Sequence, residues 1–425
     1  MFNLFEEEMS KLIIQGGEPL FGEVKISGSK NAALPILCAA LMTEERVVIN
    51  NVPNLADINN LLEVFKNSGV YVEKYGNTVS IQTPNSINRN FGDEILSEMR
   101  ASILLLGAII ARFKEVKVRI PGGCKIGSRP HEQHIKGFNA LNIKTNESED
   151  GIECITAEKI GANIHFDVVT VTGTENVIMA ATMSKGETIL KNIAMEPEVV
   201  DLIDMLNQMG AKIQWIDKNT IKINGVKKLK GITYSIIPDR IEAGTFMSAV
   251  AGTGGEIICS HVNVNHVSLI SNMLQNMGCV INAYEDGKTI KIKSRKNLNA
   301  IDVETQPFPG FPTDLQPLFV VLNTVSKGES FVKETIYENR LGHANDLITM
   351  GGNLKVQDRI VYINGVNKLT GNTVFPRDLR ASAAMVVAGL IAEGETVVRN
   401  LQYLDRGYDS IDIKLKSLGA RIKRE

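Results

Sequence analysis

Six stretches of small and aliphatic residues recur along the chain, at 32–42, 102–111, 177–183, 243–251, 315–325 and 382–392. Helices apolar on every side are buried, so these predict six core helices. Between them lie segments whose apolar positions fall on one face, such as 199–209 and 411–418, which predict outer amphipathic helices. Short β-branched runs at 46–49, 188–190 and 396–398 predict strands.

The pattern is a repeat. A turn ending in glutamate follows each apolar stretch, at Glu45, Glu115, Glu187, Glu256, Glu329 and Glu395, with gaps of 70, 72, 69, 73 and 66 residues. A glycine closes the outer helix at Gly69, Gly210, Gly278, Gly351 and Gly419. The copy beginning at Glu115 has Leu141-Asn142 there instead, and it also carries an unusual cysteine loop. Departures from a local rule are expected where function intrudes.

Six units of this size exceed one core, and three per lobe is the natural division. The first lobe is expected at 30–238. The second is discontinuous, 11–29 plus 239–425, with the unpartnered opening strands at 12–26 completing it. Residues 1–10 read as a frayed extension.

Composition narrows the class. With 425 residues, 44% hydrophobic and 22% charged, the chain reads as a globular protein. A net charge of −2 supplies no basic field for nucleic acid or an anionic membrane. The longest apolar runs, 101–111 and 381–392, fall short of the ~20 residues that span a bilayer. No basic signal segment opens the chain, so a cytoplasmic location is expected. Five cysteines without a CxxC pair fit a reducing compartment and argue against disulfides or zinc. His131 and His134 lie three apart but follow Pro130 with no HExxH pattern, so no metal role is expected.

Candidate chemistry sits at two kinds of place. The first is Pro121-Gly122-Gly123-Cys124-Lys125-Ile126-Gly127-Ser128-Arg129-Pro130, a glycine-rich loop whose flanking cations favour a thiolate at Cys124. The alternative is a small buried residue in a tight turn. The second is the set of buried-helix starts: Ser29-Lys30-Asn31, Met99-Arg100, Gly173 to Asn176, Asp239-Arg240, Pro312-Thr313-Asp314 and Asp378-Leu379-Arg380. For Asp239, Thr313, Asp314 and Asp378 taken singly, ordinary capping is the better reading. Lys30, Arg100 and Arg380 differ, because a cation beside a positive helix end is unfavourable without an anion. Three such cases predict a site for anionic ligands. No Walker A sequence or GxGxxG follows a strand.

These residues carry a resemblance. Ser27 to Pro35, the Pro121 to Pro130 loop, Pro238-Asp239-Arg240-Ile241-Glu242, Phe311-Pro312-Thr313-Asp314, Glu338-Asn339-Arg340, Asp378 to Ser382 and Asp405-Arg406-Gly407-Tyr408 stand in the order seen in the UDP-N-acetylglucosamine enolpyruvyl transferases. From about Ile13 onward the chain resembles that family. The resemblance implies an α/β fold of two inside-out α/β barrel lobes, the enolpyruvyl transferase fold, each of three βαβαββ units. It implies transfer of the enolpyruvyl group of phosphoenolpyruvate to the 3-hydroxyl of UDP-N-acetylglucosamine, the committing step of peptidoglycan synthesis, without a cofactor.

Carried over by motif, Cys124 is the acid that protonates the methylene of phosphoenolpyruvate and the atom that fosfomycin alkylates. A thiol tuned by Lys125 and Arg129 suits that work. Asp314 accepts the sugar hydroxyl proton. Lys30, Asn31, Arg129 and Arg406 hold phosphoenolpyruvate, with Arg380 near its carboxylate and Asp378 close to the reacting centre. Arg100, Arg129, Pro130, His131, Glu132, Gln133, Asp314 and Ile336 line the nucleotide sugar. Two lobes joined by two crossings can close, with the Gly122-Gly123 loop as a lid.

His131-Glu132-Gln133 departs from the family, which often has a small apolar residue, Asp and Leu there. Val171 to Thr174 and Gln306 to Phe311 also depart. Three rivals remain. The sister enzyme acting on shikimate 3-phosphate lacks the Pro-Gly-Gly-Cys loop. A silent sugar-nucleotide sensor would have lost the acid or base. An RNA-end cyclase would be basic.

Overall fold

The structure, a computed structural model, describes residues 10–92, 99–119 and 131–425. They fall in two compact units, one of residues 10–27 with Pro238–Glu425, the other of residues 28–92, 99–119 and 131–237. The Cys124 loop and residues 1–9 lie outside the described residues.

Six helices form the centres of the units: Lys30–Ala39, Leu104–Arg112 and Val171–Thr182 in one, Arg240–Thr253, Gln316–Thr324 and Leu379–Ile391 in the other. Their side chains are almost entirely buried, as the apolar pattern requires. The third starts six residues before its apolar stretch. Thr170 caps it by accepting the Gly173 N–H at 3.3 Å, and its first turns bury Thr174, Glu175 and Asn176. Asn176 is used there: Oδ1 accepts the Gly107 N–H and Nδ2 donates to Ile103 O, both at 2.8 Å. Gly107 admits this approach, since a Cβ would sit 2.5 Å from that oxygen.

Six four-stranded sheets surround these centres, and none closes into a barrel among the described residues. Each runs in one order: an edge strand, the strand after a buried helix parallel to it, then two antiparallel strands. Asn90–Phe91, Glu115–Val118, Gly151–Ile155 and Lys144–Ser148 are an example. In one sheet the edge strand is Thr233–Ser235, parallel to Val47–Asn50, so the last segment of that unit closes on its first.

The opening strands fill two places in the other unit. Leu20–Lys25 is the parallel edge beside Gly255–Ser260. Leu12–Gln15 lies antiparallel between Glu395–Val398 and Arg421–Arg424. The sixth repeat ends one strand short, and the amino terminus supplies it.

The five landmark glycines have φ between +92° and +110°. Asn142 takes the same left-handed region at +61°. Asparagine is among the few residues that adopt it readily, so the exceptional copy keeps the turn.

Candidate active site

Asp314 is not a helix cap. It lies in the 3-10 turn Thr313–Leu315, and the N-cap of Gln316–Thr324 is Leu315, whose side chain makes no cap bond. Its carboxylate is instead gripped by two guanidinium groups. Arg340 Nη2 donates to Oδ1 at 2.9 Å and Arg380 Nη2 to Oδ2 at 2.7 Å. Both arginine side chains are 4% exposed and the aspartate 23%. Burial alone would raise the Asp314 pKa, but Arg380 and Arg340 outweigh it and hold the group well below the usual carboxylate range. Burial likewise disfavours the Arg380 charge, and Asp314 overrides it.

The local fold explains the grip. Asp378 caps Leu379–Ile391, accepting the Arg380 and Ala381 N–H groups at 2.9 and 3.0 Å, which fixes the Arg380 backbone. The Arg380 guanidinium lies 5.7 Å from the Tyr408 ring centroid, and the Tyr408 hydroxyl is 2.8 Å from Thr245 Oγ1. Arg340 donates to Thr313 Oγ1 at 2.9 Å and lies over the Tyr337 ring at 5.4 Å. His343 is buried nearby. Burial lowers its pKa to about 4, with Asp378 pulling it up and Arg340 pushing it down.

Ile336 is tied to the same place, its N–H donating at 2.8 Å to the buried Glu334. Arg406 is half-buried, on the segment whose Gly407 packs against Leu379, where a Cβ would come 2.4 Å from Leu379 Cδ2. Asp314, Arg380, Ile336 and Arg406 thus belong to one neighbourhood of this unit.

In the other unit Lys30 opens Lys30–Ala39 behind the Ser29 cap. Its Nζ lies 3.1 Å from Asp57 Oδ2, in the first turn of Ala56–Asn67, and Asn31 beside it is half-buried. Gly28 is required, because a Cβ there would meet Asn51 O at 1.7 Å. The backbone of Arg100 opens the turn Arg100–Ile103. His131 pairs with Glu147 at 2.5 Å, ahead of Glu132–Ala140. Gln133 exchanges two bonds with Asp167, at 3.1 and 2.9 Å, and Glu132 is exposed. Cys124, Arg129 and Pro130 lie outside the described residues.

Sequence reasoning gave no role to Asp57, Glu334 or His343, and quoted Arg340 only as part of a motif. The signal for Asp57 was an acid in a helix's first turn, too common to single out. Among the described residues no cluster of His, Cys, Asp and Glu is arranged for a metal ion, and no helix is long and apolar enough to cross a membrane.

The family described as EPSP synthase (3-phosphoshikimate 1-carboxyvinyltransferase) matches residues 14–415. That match places this frame of six buried helices under six open sheets in the class of enolpyruvyl, or carboxyvinyl, transferases. The enolpyruvyl transferase NikO from Streptomyces tendae superposes with a TM-score of 0.88 at 21% identity, covering 98% of this chain and 99% of that one. EPSP synthase from Acinetobacter baumannii does so at 0.74 and 17%, covering 98% and 100%. Nearer in sequence are UDP-N-acetylglucosamine 1-carboxyvinyltransferase of Clostridium botulinum, 46% identical over 419 residues, and UDP-N-acetylglucosamine 1-carboxyvinyltransferase 2 of Clostridium acetobutylicum, 46% over 418. Each alignment covers 98% of this chain and 100% of the relative. The chain belongs to the UDP-N-acetylglucosamine 1-carboxyvinyltransferase family.

Proposed function

We propose that this enzyme transfers the enolpyruvyl group of phosphoenolpyruvate to the 3-hydroxyl of UDP-N-acetylglucosamine, releasing phosphate, in the cytoplasmic first step committed to peptidoglycan. The observation that carries the reading is full-length 46% identity with relatives bearing that name. The thiol of Cys124 gives its proton to the methylene carbon, and the adjacent carbon becomes electrophilic. The sugar oxygen attacks it as Asp314 takes the hydroxyl proton. Loss of a proton from the new methyl group then expels phosphate.

The clamp on Asp314 bears on this chemistry. A carboxylate held by two guanidinium groups is a poor base. Phosphoenolpyruvate brings a carboxylate and a phosphate, the anions an arginine fork grips best. An anion that draws off Arg380 leaves Asp314 more basic, so the acceptor is activated when the donor is in place. Arg129, Arg406, Lys30 and Asn31 complete the hold on phosphoenolpyruvate. Arg100, Arg129, Pro130, His131, Glu132, Gln133 and Ile336 contact the nucleotide sugar.

The test is phosphate release from phosphoenolpyruvate with UDP-N-acetylglucosamine, then with shikimate 3-phosphate. The second arm matters because the matching family is described by that other activity. Turnover with the first acceptor alone is expected, and turnover with the second alone refutes the reading. Cys124→Ser abolishes turnover, since an alcohol holds its proton too tightly to act as the acid. Cys124→Asp retains activity and escapes fosfomycin. A fully active serine variant removes the thiol from the mechanism.

A further inference from the structure

Glu334 follows the strand Glu329–Lys333 and is wholly buried. Its Oε1 accepts the Thr305 hydroxyl at 3.0 Å and the N–H groups of Ile336 and Tyr337 at 2.8 and 3.1 Å. Its Oε2 accepts the Thr313 hydroxyl at 2.8 Å. A guanidinium donates and never accepts, so Thr313 Oγ1 receives the Arg340 bond and keeps its own proton for another acceptor. Thr313 therefore gives its proton to Glu334 and turns a lone pair to Arg340 Nη1, 2.9 Å away. With Nη1 on Thr313 and Nη2 on Asp314, the planar guanidinium is fixed at two points. A second route reaches the same group, because Glu334 also holds the backbone of Tyr337, whose ring lies under Arg340.

We propose that Glu334 is a positioning residue for the reaction, holding the Arg340 fork in register with Asp314 through Thr313 and Tyr337. The proposal rests on the function assigned above to Asp314. It makes Glu334 part of what sets the strength of the base, although it touches neither substrate in that reading. An amide cannot replace it. The side chain introduced by Glu334→Gln would offer one accepting oxygen, so either Thr313 or the Thr305, Ile336 and Tyr337 group loses its acceptor.

Two variants test this, Glu334→Gln and the near-isosteric Thr313→Val, with Thr305→Val as comparison. Thr305→Val also removes one bond to Glu334, but off the route to Arg340. The first readout needs no turnover: the guanidinium resonances of the 15N-arginine-labelled full chain, with Arg340 assigned by its loss in Arg340→Lys. Restricted, distinct Arg340 signals are expected in the wild type and in Thr305→Val, and averaged ones in Thr313→Val and Glu334→Gln. The second readout is kinetic. Thr313→Val is expected to lower kcat about tenfold, because Asp314 loses the orientation that a fixed Arg340 gives it even as it becomes more basic, with KM changed far less. The acid limb of its pH profile moves upward as Asp314 loses one cation. If Glu334→Gln does not fold, Thr313→Val decides alone. Wild-type Arg340 signals in Thr313→Val overturn the proposal, as do averaged signals with wild-type turnover and pH profile. A wild-type enzyme that releases no phosphate instead refutes the assigned function, and the resonances still judge what holds Arg340.

Discussion

Two aspartates of this protein are driven in opposite directions. Asp314 is held far down by Arg380 and Arg340. Asp201, buried in the other unit, is pushed up from 3.8 to about 6. Burial is the largest cause; the Tyr234 hydroxyl at 2.6 Å and the Ile237 N–H at 3.2 Å oppose it, while Asp204 and Glu198 add to it. Between pH 4 and 6 the folded Asp201 binds a proton that the unfolded one has released. Its contribution to stability is therefore present below pH 4 and is lost as pH rises through 6. Asp201→Asn removes that slope. Relative to wild type the variant should gain about 2–3 kcal/mol between pH 4 and pH 7, from a shift of roughly two units. Any fixed cost of the amide is the same at every pH, so urea midpoints across the range isolate the effect, and parallel curves would refute it. At this scale the sequence was partly legible. The argument that Lys30 and Arg380 need an anion was sound, but the structure supplies internal ones, Asp57 and Asp314. Such long-range pairs leave no local pattern. The capping reading holds for Asp239 and Asp378 and fails for Thr313 and Asp314.

Elements were more legible, because a 3.6-residue period and a glycine at a helix end are local signals. What hid was polar residues inside buried helices. Thr174, Glu175 and Asn176 broke the apolar pattern at the start of Val171–Thr182, and the partners of Asn176, Gly107 and Ile103, lie far away in sequence. The copy with Leu141-Asn142 was read as a functional departure, and its backbone is instead that of its five siblings. This gives a direct comparison. Gly210→Ala and Asn142→Ala each place a Cβ residue without Asn's local tolerance at positive φ, and each should cost about 1–2 kcal/mol. Asn142→Gly should cost less, since it trades the side-chain bond to Glu158 O at 3.0 Å for backbone freedom. Urea denaturation of the three variants checks the order, and an Asn142→Gly variant less stable than Asn142→Ala would contradict it.

At the scale of the whole molecule, the six-fold repeat and the return of the opening strands to the second unit were readable from the sequence, and strand pairing adds which place each strand takes. Leu12 and Ile14 are fully buried in the sheet that the last repeat leaves one strand short. Their packing partners belong to the core of residues 12–26 and 241–422, while residues 32–236 form a separate core. Cores that share no residues are able to unfold as separate units, which predicts that the effect of a core mutation stays within its own unit. Ile14→Ala should therefore destabilise one unit by about 2–5 kcal/mol and leave the other intact. The single tryptophan makes this measurable. Trp215 lies on Ile213–Asp217 in the second core's unit, 40% exposed, so its fluorescence reports that unit alone. Far-UV circular dichroism reports both. For Ile14→Ala the dichroism transition should split or move to lower urea while the fluorescence midpoint stays at its wild-type value. Val79→Ala, in the other core, should move the fluorescence midpoint. A fluorescence midpoint that follows Ile14→Ala downward would mean that the two cores unfold as one, and that the amino-terminal strand stabilises the entire chain.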